Sequence, residues 1–568
     1  MAASSAEASF DLIVIGGGLA GLTAAVRAAE LGLNPIVLEQ GNGEDYPCNT
    51  RQSGGILHIA FHDPFRPAQE LSDIIARITN GEARSNIAAA LSANGSRLIS
   101  WLQSHGARFM RFNQLEGYRW CMAPPRALKA GIDWKDRGPD VVMRRLARRL
   151  AQLGGTLQLR TRAIDLIMEG ESCVGVRAET DGQEKAWLAS SCLIADGGFQ
   201  SNPELYEQYI GPDFNAVFQR GARTGKGTGV EMAKRVGAAL TETNRFYGHL
   251  LCRDSLTNDG VWPYPELDAI ATSGLVVDGS GSRIVDEGRS GIFIANALAA
   301  FPAESRFHVV FDNAIWVGPG TSARIPANPL LEQAGGTILR ADTLEDLAKL
   351  MGVSPSSLAE TVHGYNAALA DGKLSRLSIP RSKNINPHKI VEPPFMAISL
   401  IPGITYTMGG IAIDEHAQVL DQKGTAIPGL FAAGATTGGL EGGRDAVYIG
   451  GLIKAGVFGL LAAERISALR KQSKIDSVQQ FEPRGGSAIG DAPRGLARYP
   501  ILAATLRYGR PAAFVIAFAV ALLLAWLGWP MLGPAAPLLA LLAGSVVAFA
   551  MLSYIELVRL VTELLMPD

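Results

Sequence analysis

Phe10-Asp11-Leu12-Ile13-Val14-Ile15-Gly16-Gly17-Gly18-Leu19-Ala20-Gly21 is the stretch from which the fold can be read. Its apolar run predicts a buried parallel strand that breaks at Gly16. A helical pattern then follows through Ala24, Ala25, Ala28 and Leu31. Gly16, Gly18 and Gly21 fit G-x-G-x-x-G: a tight turn, a close approach to a pyrophosphate, and close helix–strand packing, in that order. A diphosphate would sit on the helix N-terminus, where unpaired N–H groups and the helix dipole favour negative charge. Ile36-Val37-Leu38 predicts a second strand, ending in Glu39, whose carboxylate can accept hydrogen bonds from a ribose. Strand, glycines, helix, strand and acid together specify a dinucleotide site.

The chain's 568 residues exceed one compact core and predict two or three units. A net charge of −2 gives no reason to expect nucleic acid as a partner. The five cysteines are scattered without C-x-x-C, against a disulfide framework, an iron–sulfur site or a c-type haem. His58 and His62 do not make a metal pair by spacing, so no metal site is expected. Met1 to Ser9 lacks the basic and apolar regions of a signal peptide, which places the catalytic body in the cytoplasm.

Val141 to Leu153 reads as an amphipathic helix, and Thr156–Arg160, Ala163–Glu169, Ser172–Glu179 and Lys185–Ala189 as strands. Leu193-Ile194-Ala195 and Pro428 to Ala435 are further buried strands ending in glycine-rich turns, and Ala446 to Arg465 is a small-residue helix. The resulting division is 10–234 and 391–467 for a discontinuous dinucleotide domain, 235–390 for an inserted cap and 468–505 for a linker. At 506–568 two apolar stretches, Ala512 to Trp529 and Pro537 to Ser553, predict a transmembrane hairpin. Arg494, Arg498, Arg507, Arg510 and Arg559 put both ends on the cytoplasmic side of the membrane.

The fingerprint, Asn49-Thr50-Arg51-Gln52-Ser53-Gly54-Gly55, Ala195-Asp196-Gly197-Gly198-Phe199 and Pro428-Gly429-Leu430-Phe431-Ala432-Ala433-Gly434 occur in a telling order. Together they resemble the fumarate reductase/succinate dehydrogenase flavoprotein superfamily, which also holds ketosteroid dehydrogenases and urocanate reductases. Arg283–Gly288, Ala341–Leu347 and Gly403–Thr407 resemble tricarballylate-dehydrogenase-like members. The resemblance implies an α/β fold: a Rossmann-like, discontinuous FAD-binding domain with an inserted α+β capping domain. It implies FAD contacts at Gly16, Gly18, Gly21, Glu39, Gln40, Thr50, Ser53, Gly54, Gly55, Ala163, Gly197, Gly434, Gly450 and Gly451. No histidine occupies Asn49–Gly55, where respiratory relatives attach FAD, so noncovalent FAD is expected. Ala435 stands where many relatives carry a glutamate, with Thr436 or Thr437 as substitutes, and Lys226 replaces a common aspartate.

The implied chemistry is hydride transfer between flavin N5 and a CH–CH bond beside a carboxylate or carbonyl, with a side chain moving the neighbouring proton. By the same resemblance His249 binds substrate, Arg289 lies near the proton-transfer position and Arg444 clamps a carboxylate. Arg289 follows Glu287 two residues sooner than in the fumarate-reductase pattern. Thr405-Tyr406-Thr407-Met408-Gly409-Gly410 matches a family motif in which Thr405 replaces a histidine. A hydroxyl carries no positive charge, so one anion-binding element of the fumarate site is missing. The expected base is Arg289 through a relay, or Tyr406; Tyr448, at a helix start where an aromatic more often packs, is an extra site residue. Expected partners are a small carboxylate or carbonyl substrate and, through the hairpin, the membrane and its quinone pool. A ketosteroid-type dehydrogenase and a catalytically idle flavin-bound subunit remain as alternatives.

Overall fold

The computed structural model describes residues 10–112, 116–480 and, with interruptions, 513–565. Strand Leu12–Ile15 is buried along its whole length. It lies between Pro35–Leu38 and Cys192–Ile194, parallel to both. Apolar residues without alternation suit a strand covered on both faces. The sheet extends parallel to Thr156–Gln158 on one side and to Ala426–Ala432 on the other, with Gln418–Leu420 antiparallel at that edge. Helix Leu19–Glu30 makes the first crossover. It packs on the long helix Gly451–Gln480 at a small-residue contact: a Cβ at Gly459 would meet the Ala20 carbonyl at 2.5 Å. This crossing sets the starts of both helices toward one cavity.

Thr161–Glu169, Ser172–Thr180 and Gln183–Leu188 form an antiparallel meander beside this sheet, close to three of the expected strands. Helix Gly138–Gln152 takes in the expected Val141–Leu153 except for Leu153, which caps its end. The helix expected from Ala446 starts at Gly451 instead, because Ala446 (φ 49°) and Gly450 (φ 151°) hold the intervening turn out of helical geometry.

A second core runs from Tyr206 to Ile404, around Phe246, Val309, Phe311, Tyr365 and Ile398. Its sheet is organised on the 13-residue strand Phe395–Thr407. That strand pairs antiparallel with Phe246–Cys252, Phe307–Phe311 and Leu339–Ala341, and parallel with Phe218–Gln219. Against Phe246–Cys252 the register slips: Tyr247 faces Tyr406, but Gly248 faces Ile404, so Thr405 is an extra residue in the ladder. Such a bulge breaks the two-residue alternation and lets consecutive side chains serve one side.

The expected membrane hairpin is not borne out. Among the described residues no helix is long and apolar enough to cross a membrane. A span needs about 20 mostly apolar residues in one helix, and the two apolar stretches reach that length only by counting their flanks. The membrane anchor and the cytoplasm-facing placement inferred from the hairpin are corrected accordingly. Residues 476–568 form a separate unit whose described part is chiefly helix Ala536–Leu565. Helix Gly451–Gln480 takes up the start of the expected linker. Residues 481–512, with Arg494, Arg498, Arg507 and Arg510, and Met1 to Ser9 lie outside the described residues.

Candidate active site

One cavity is lined by Gly16, Gly18, Glu39, Gln40, Thr50, Ser53, Gly54, Gly55, Ala163, Gly197, Gly434 and Gly451 at its cofactor end. The fingerprint glycines divide by role. A Cβ on Gly16 (φ 100°) would meet the Ala195 carbonyl at 2.7 Å, and one on Gly21 the Gly16 carbonyl at 2.0 Å. Both are required by packing, and Gly21 itself does not reach the cavity. At Gly18 the nearest atom to an added Cβ is Thr50 Oγ1 at 3.8 Å, so the backbone there is open to a ligand. Thr50 Oγ1 accepts from the Leu19 amide at 3.1 Å, and the first helical turn carries no acid.

Glu39 is nearly buried, and its two oxygens accept from the Gly17 and Gly41 amides at 2.8 Å each. A carboxylate has about four lone-pair sites, so a ribose hydroxyl can still donate to it. Burial raises its pKa against the pull of those amides. Gln52 Oε1 and Gln200 Oε1, two buried oxygens on the same wall, have no partner among the described residues. Glycine cradle, open helix N-terminus, ribose-facing acid and unpaired acceptors fit FAD. Gly450 stays behind the wall, packed against the His58 carbonyl.

At the other end of the cavity the bulge turns both Thr405 and Tyr406 inward beside Tyr247 and His249. Asn49 fixes the bulge, donating to the Thr405 carbonyl at 2.8 Å while accepting from the Ala222 amide. Tyr247 stacks on Tyr448 at 4.1 Å and lies 5.2 Å from Tyr406. Tyr264, Tyr118 and Phe61 extend this aromatic lining. Two buried arginines, absent from the sequence reading, flank Tyr264: Arg126 at 4.6 Å and Arg220 at 5.0 Å from its ring.

Arg220 pairs with Glu266, donates to the Pro263 carbonyl, and gives a hydrogen bond of 3.1 Å to Thr405 Oγ1. Burial pulls its pKa down, but Glu266 and its neighbours outweigh this and raise it. Arg126 donates to the Gly131 and Asp133 carbonyls, and its Nε has no partner among the described residues. Burial lowers its pKa, as expected of a cation short of a counter-ion. Arg324 also lines the cavity. These three carry no local signal, because they stand far apart in the chain with no motif around them.

Tyr406 also lines the cavity. Its phenol donates to Glu441, which also takes Lys454 Nζ at 2.7 Å and the Ile449 and Gly450 amides at 3.0 Å. Burial, and next the Glu441 charge, raise the Tyr406 pKa well above its ordinary value. Lys454 and these amides hold the Glu441 carboxyl below its ordinary value, so it takes the phenolic proton poorly, and the geometry favours a structural role for Tyr406 over the expected basic one. Tyr448 and Lys226 line the cavity, as does Ala435.

Arg289 and Arg444 are not brought to the cavity. Arg289 pairs with Asp445 and lies over the Phe293 ring at 4.2 Å. Arg444 is 70% exposed, and its backbone amide is held by Glu82. No cluster of metal ligands occurs among the described residues.

Comparison with known proteins agrees with this geometry. Residues 11–446 match the family described as FAD binding domain. A probable fumarate reductase of Shewanella frigidimarina is 27% identical over 450 residues, covering 76% of this chain and 70% of that protein. The open conformation of a flavocytochrome c3 fumarate reductase shares the fold with a TM-score of 0.60 at 23% identity, over 82% of this chain and 79% of the other. The 3-ketosteroid delta1-dehydrogenase of Sterolibacterium denitrificans does so with a TM-score of 0.64 at 20% identity, over 81% and 100%. The chain therefore belongs to the FAD-binding family of fumarate reductase/succinate dehydrogenase-type flavoproteins, and is an FAD-dependent oxidoreductase.

Proposed function

We propose that the protein oxidises or reduces a CH–CH bond next to a carboxylate of a small organic acid, of the tricarballylate or fumarate kind, with noncovalent FAD. One observation carries this reading. Arg126, a buried guanidinium with an unpartnered Nε, lines the same cavity as the FAD cradle, beside Arg220, His249 and Thr405. Bound FAD supplies the hydride acceptor or donor at N5. Arg126 and Arg324 hold the substrate carboxylate, the former as a low-dielectric, charge-assisted donor. Thr405, its oxygen already engaged by Arg220, turns its own O–H toward the substrate oxygen. The tyrosines exclude water and hold the carbon skeleton in line with the hydride position. Arg289 and Arg444, paired around Asp445 away from the cavity, take no part in this reading.

The stacked Tyr247–Tyr448 pair supports a second reading, a ketosteroid-type substrate whose ring lies on the aromatic lining. An anaerobic screen of tricarballylate, succinate, 4-androstene-3,17-dione and their unsaturated counterparts, followed at the flavin absorbance, separates the two. Bleaching by an acid supports the first reading and bleaching by the steroid the second. A flavin that none of the compounds reduces or reoxidises overturns both and identifies an idle subunit.

A further inference from the structure

Proton transfer has no carrier among the groups expected for it: Arg289 stands outside the cavity, and Tyr406 donates to Glu441. The cavity wall nevertheless contains a chain built for the task. His249 Nε2 lies 2.9 Å from the Tyr247 hydroxyl, and His249 Nδ1 lies 2.7 Å from Asp268 Oδ2. A carboxylate can only accept, so Nδ1 carries the ring proton and Nε2 is left to accept from the phenol. Tyr247 and His249 both line the cavity, whereas Asp268 is not among its lining residues.

The surrounding fold holds this chain in place. Asp268 Oδ1 accepts the Leu250 amide at 2.8 Å, which ties the acid to the strand that bears His249. A Cβ at Gly291 would fall 2.1 Å from Asp268 Cγ, so glycine there lets the N-terminus of helix Gly291–Leu298 press against the carboxylate. That end of a helix favours negative charge. Glu266 stands 3.4 Å from His249 Nε2 and is itself paired with Arg220, so an imidazolium formed there meets a second carboxylate. Tyr247, stacked on Tyr448, is locked in its orientation.

We propose that Tyr247 moves the proton of the CH–CH reaction, with His249 as its relay and Asp268 as the group that positions and charges the relay. The assignment rests on the CH–CH reading above. In the oxidising direction the C–H bond on one carbon breaks with its electron pair leaving as hydride to FAD. The C–H bond on the adjacent carbon breaks heterolytically, its electrons forming the C=C bond. Its proton goes to Tyr247 Oη as the phenolic proton passes to His249 Nε2, leaving imidazolium against Asp268 and Glu266. Reduction runs the same steps backward.

The test uses the FAD-loaded full chain and the screened compound that bleaches the wild-type flavin. Single-turnover flavin reduction is compared for the wild type, Tyr247→Phe, Asp268→Asn and Arg289→Ala. A general acid–base group contributes roughly 10²–10⁴-fold. Tyr247→Phe should therefore keep its yellow colour and substrate KM while reducing its flavin at least about 100-fold more slowly. Asp268→Asn should lose roughly tenfold in rate with KM unchanged, and decides the matter if Tyr247→Phe does not hold flavin. A Tyr247→Phe or Asp268→Asn rate within about threefold of wild type overturns the relay while leaving the CH–CH reading intact. So does an Arg289→Ala variant that alone loses the step. A wild type that none of the compounds bleaches overturns the CH–CH reading and the relay with it.

Discussion

The phenol of Tyr406 and the ammonium of Lys454 converge on one fully buried carboxylate, Glu441, at 3.1 Å and 2.7 Å. Burial by itself would raise that carboxyl's pKa. The Lys454 charge and the Gly450 and Ile449 amides outweigh burial and hold it below its ordinary value. A depressed acid stabilises the fold above its unfolded pKa and loses that contribution as pH falls through the folded value. Lys454→Met leaves a buried charge without its partner, a loss of about 3–5 kcal/mol. We expect an unfolding midpoint well below wild type at pH 7, with the gap closing on acidification as Glu441 takes up a proton. Tyr406→Phe should slow flavin reduction less than about tenfold, since the phenol is a structural donor.

The fingerprint glycines make opposite predictions. Gly18→Val adds atoms into open space at the helix N-terminus. It should fold normally and elute without flavin. Gly21→Ala places a Cβ 2.0 Å from the Gly16 carbonyl and should lower the unfolding temperature first. Circular dichroism and the visible flavin band read the two effects separately. Denaturing the holoprotein in acid should release all of its FAD into the supernatant; flavin retained on the precipitated chain contradicts noncovalent binding.

Arg126→Ala removes a charged donor from the cavity. Hydrogen bonds to charged groups contribute about 1.5–3 kcal/mol, so KM for an acid substrate should rise roughly 10–100-fold at unchanged flavin content. A neutral steroid substrate should show no such rise, which makes this variant a second discriminator between the two substrate classes.

Asp196 lines the cofactor wall, half-buried, and is held by the Gly229 amide at 2.8 Å. Burial pushes its pKa up to about 6. A raised acid costs nothing below its unfolded pKa, and the cost grows as pH rises to its folded value. Asp196→Asn keeps an acceptor for Gly229 without the charge. In flavin-free protein it should unfold later than wild type at pH 8, by about 2–3 kcal/mol, and show no advantage at pH 4.

The doubly wound sheet was legible because its cues are local. Leu12–Ile15, Gly16 and Glu39 follow one another, and their glycines serve packing and ligand approach within one strand–turn–helix unit. The meander at 161–188 was legible as strands separated by short turns. The start of helix Gly451–Gln480 was not, since small apolar residues continue without a break from Ala446 while the backbone twists at Gly450. The substrate end was legible only in part. Thr405, Tyr406 and His249 lie in recognisable runs and do meet in the cavity. Arg126, Arg220 and Glu266 converge only through tertiary contacts around Tyr264. Arg289 and Arg444 carried a motif, but the fold spends their charge on and around Asp445. The membrane inference rested on apolar composition alone, and among the described residues no helix is long and apolar enough to cross a membrane.

Because Thr405 has no counterpart opposite it in the Tyr247–Tyr406 pairing, its side chain is uncoupled from the sheet's own stability. The position works as an exchangeable fitting on a fixed frame: chemistry can be swapped there while the 13-residue strand keeps its register. Thr405→His is thus the smallest single step toward a site with one more positive group, and deletion of residue 405 the smallest toward losing the site. Without that extra residue the strand regains strict alternation, and the side chains beyond it turn to the opposite face.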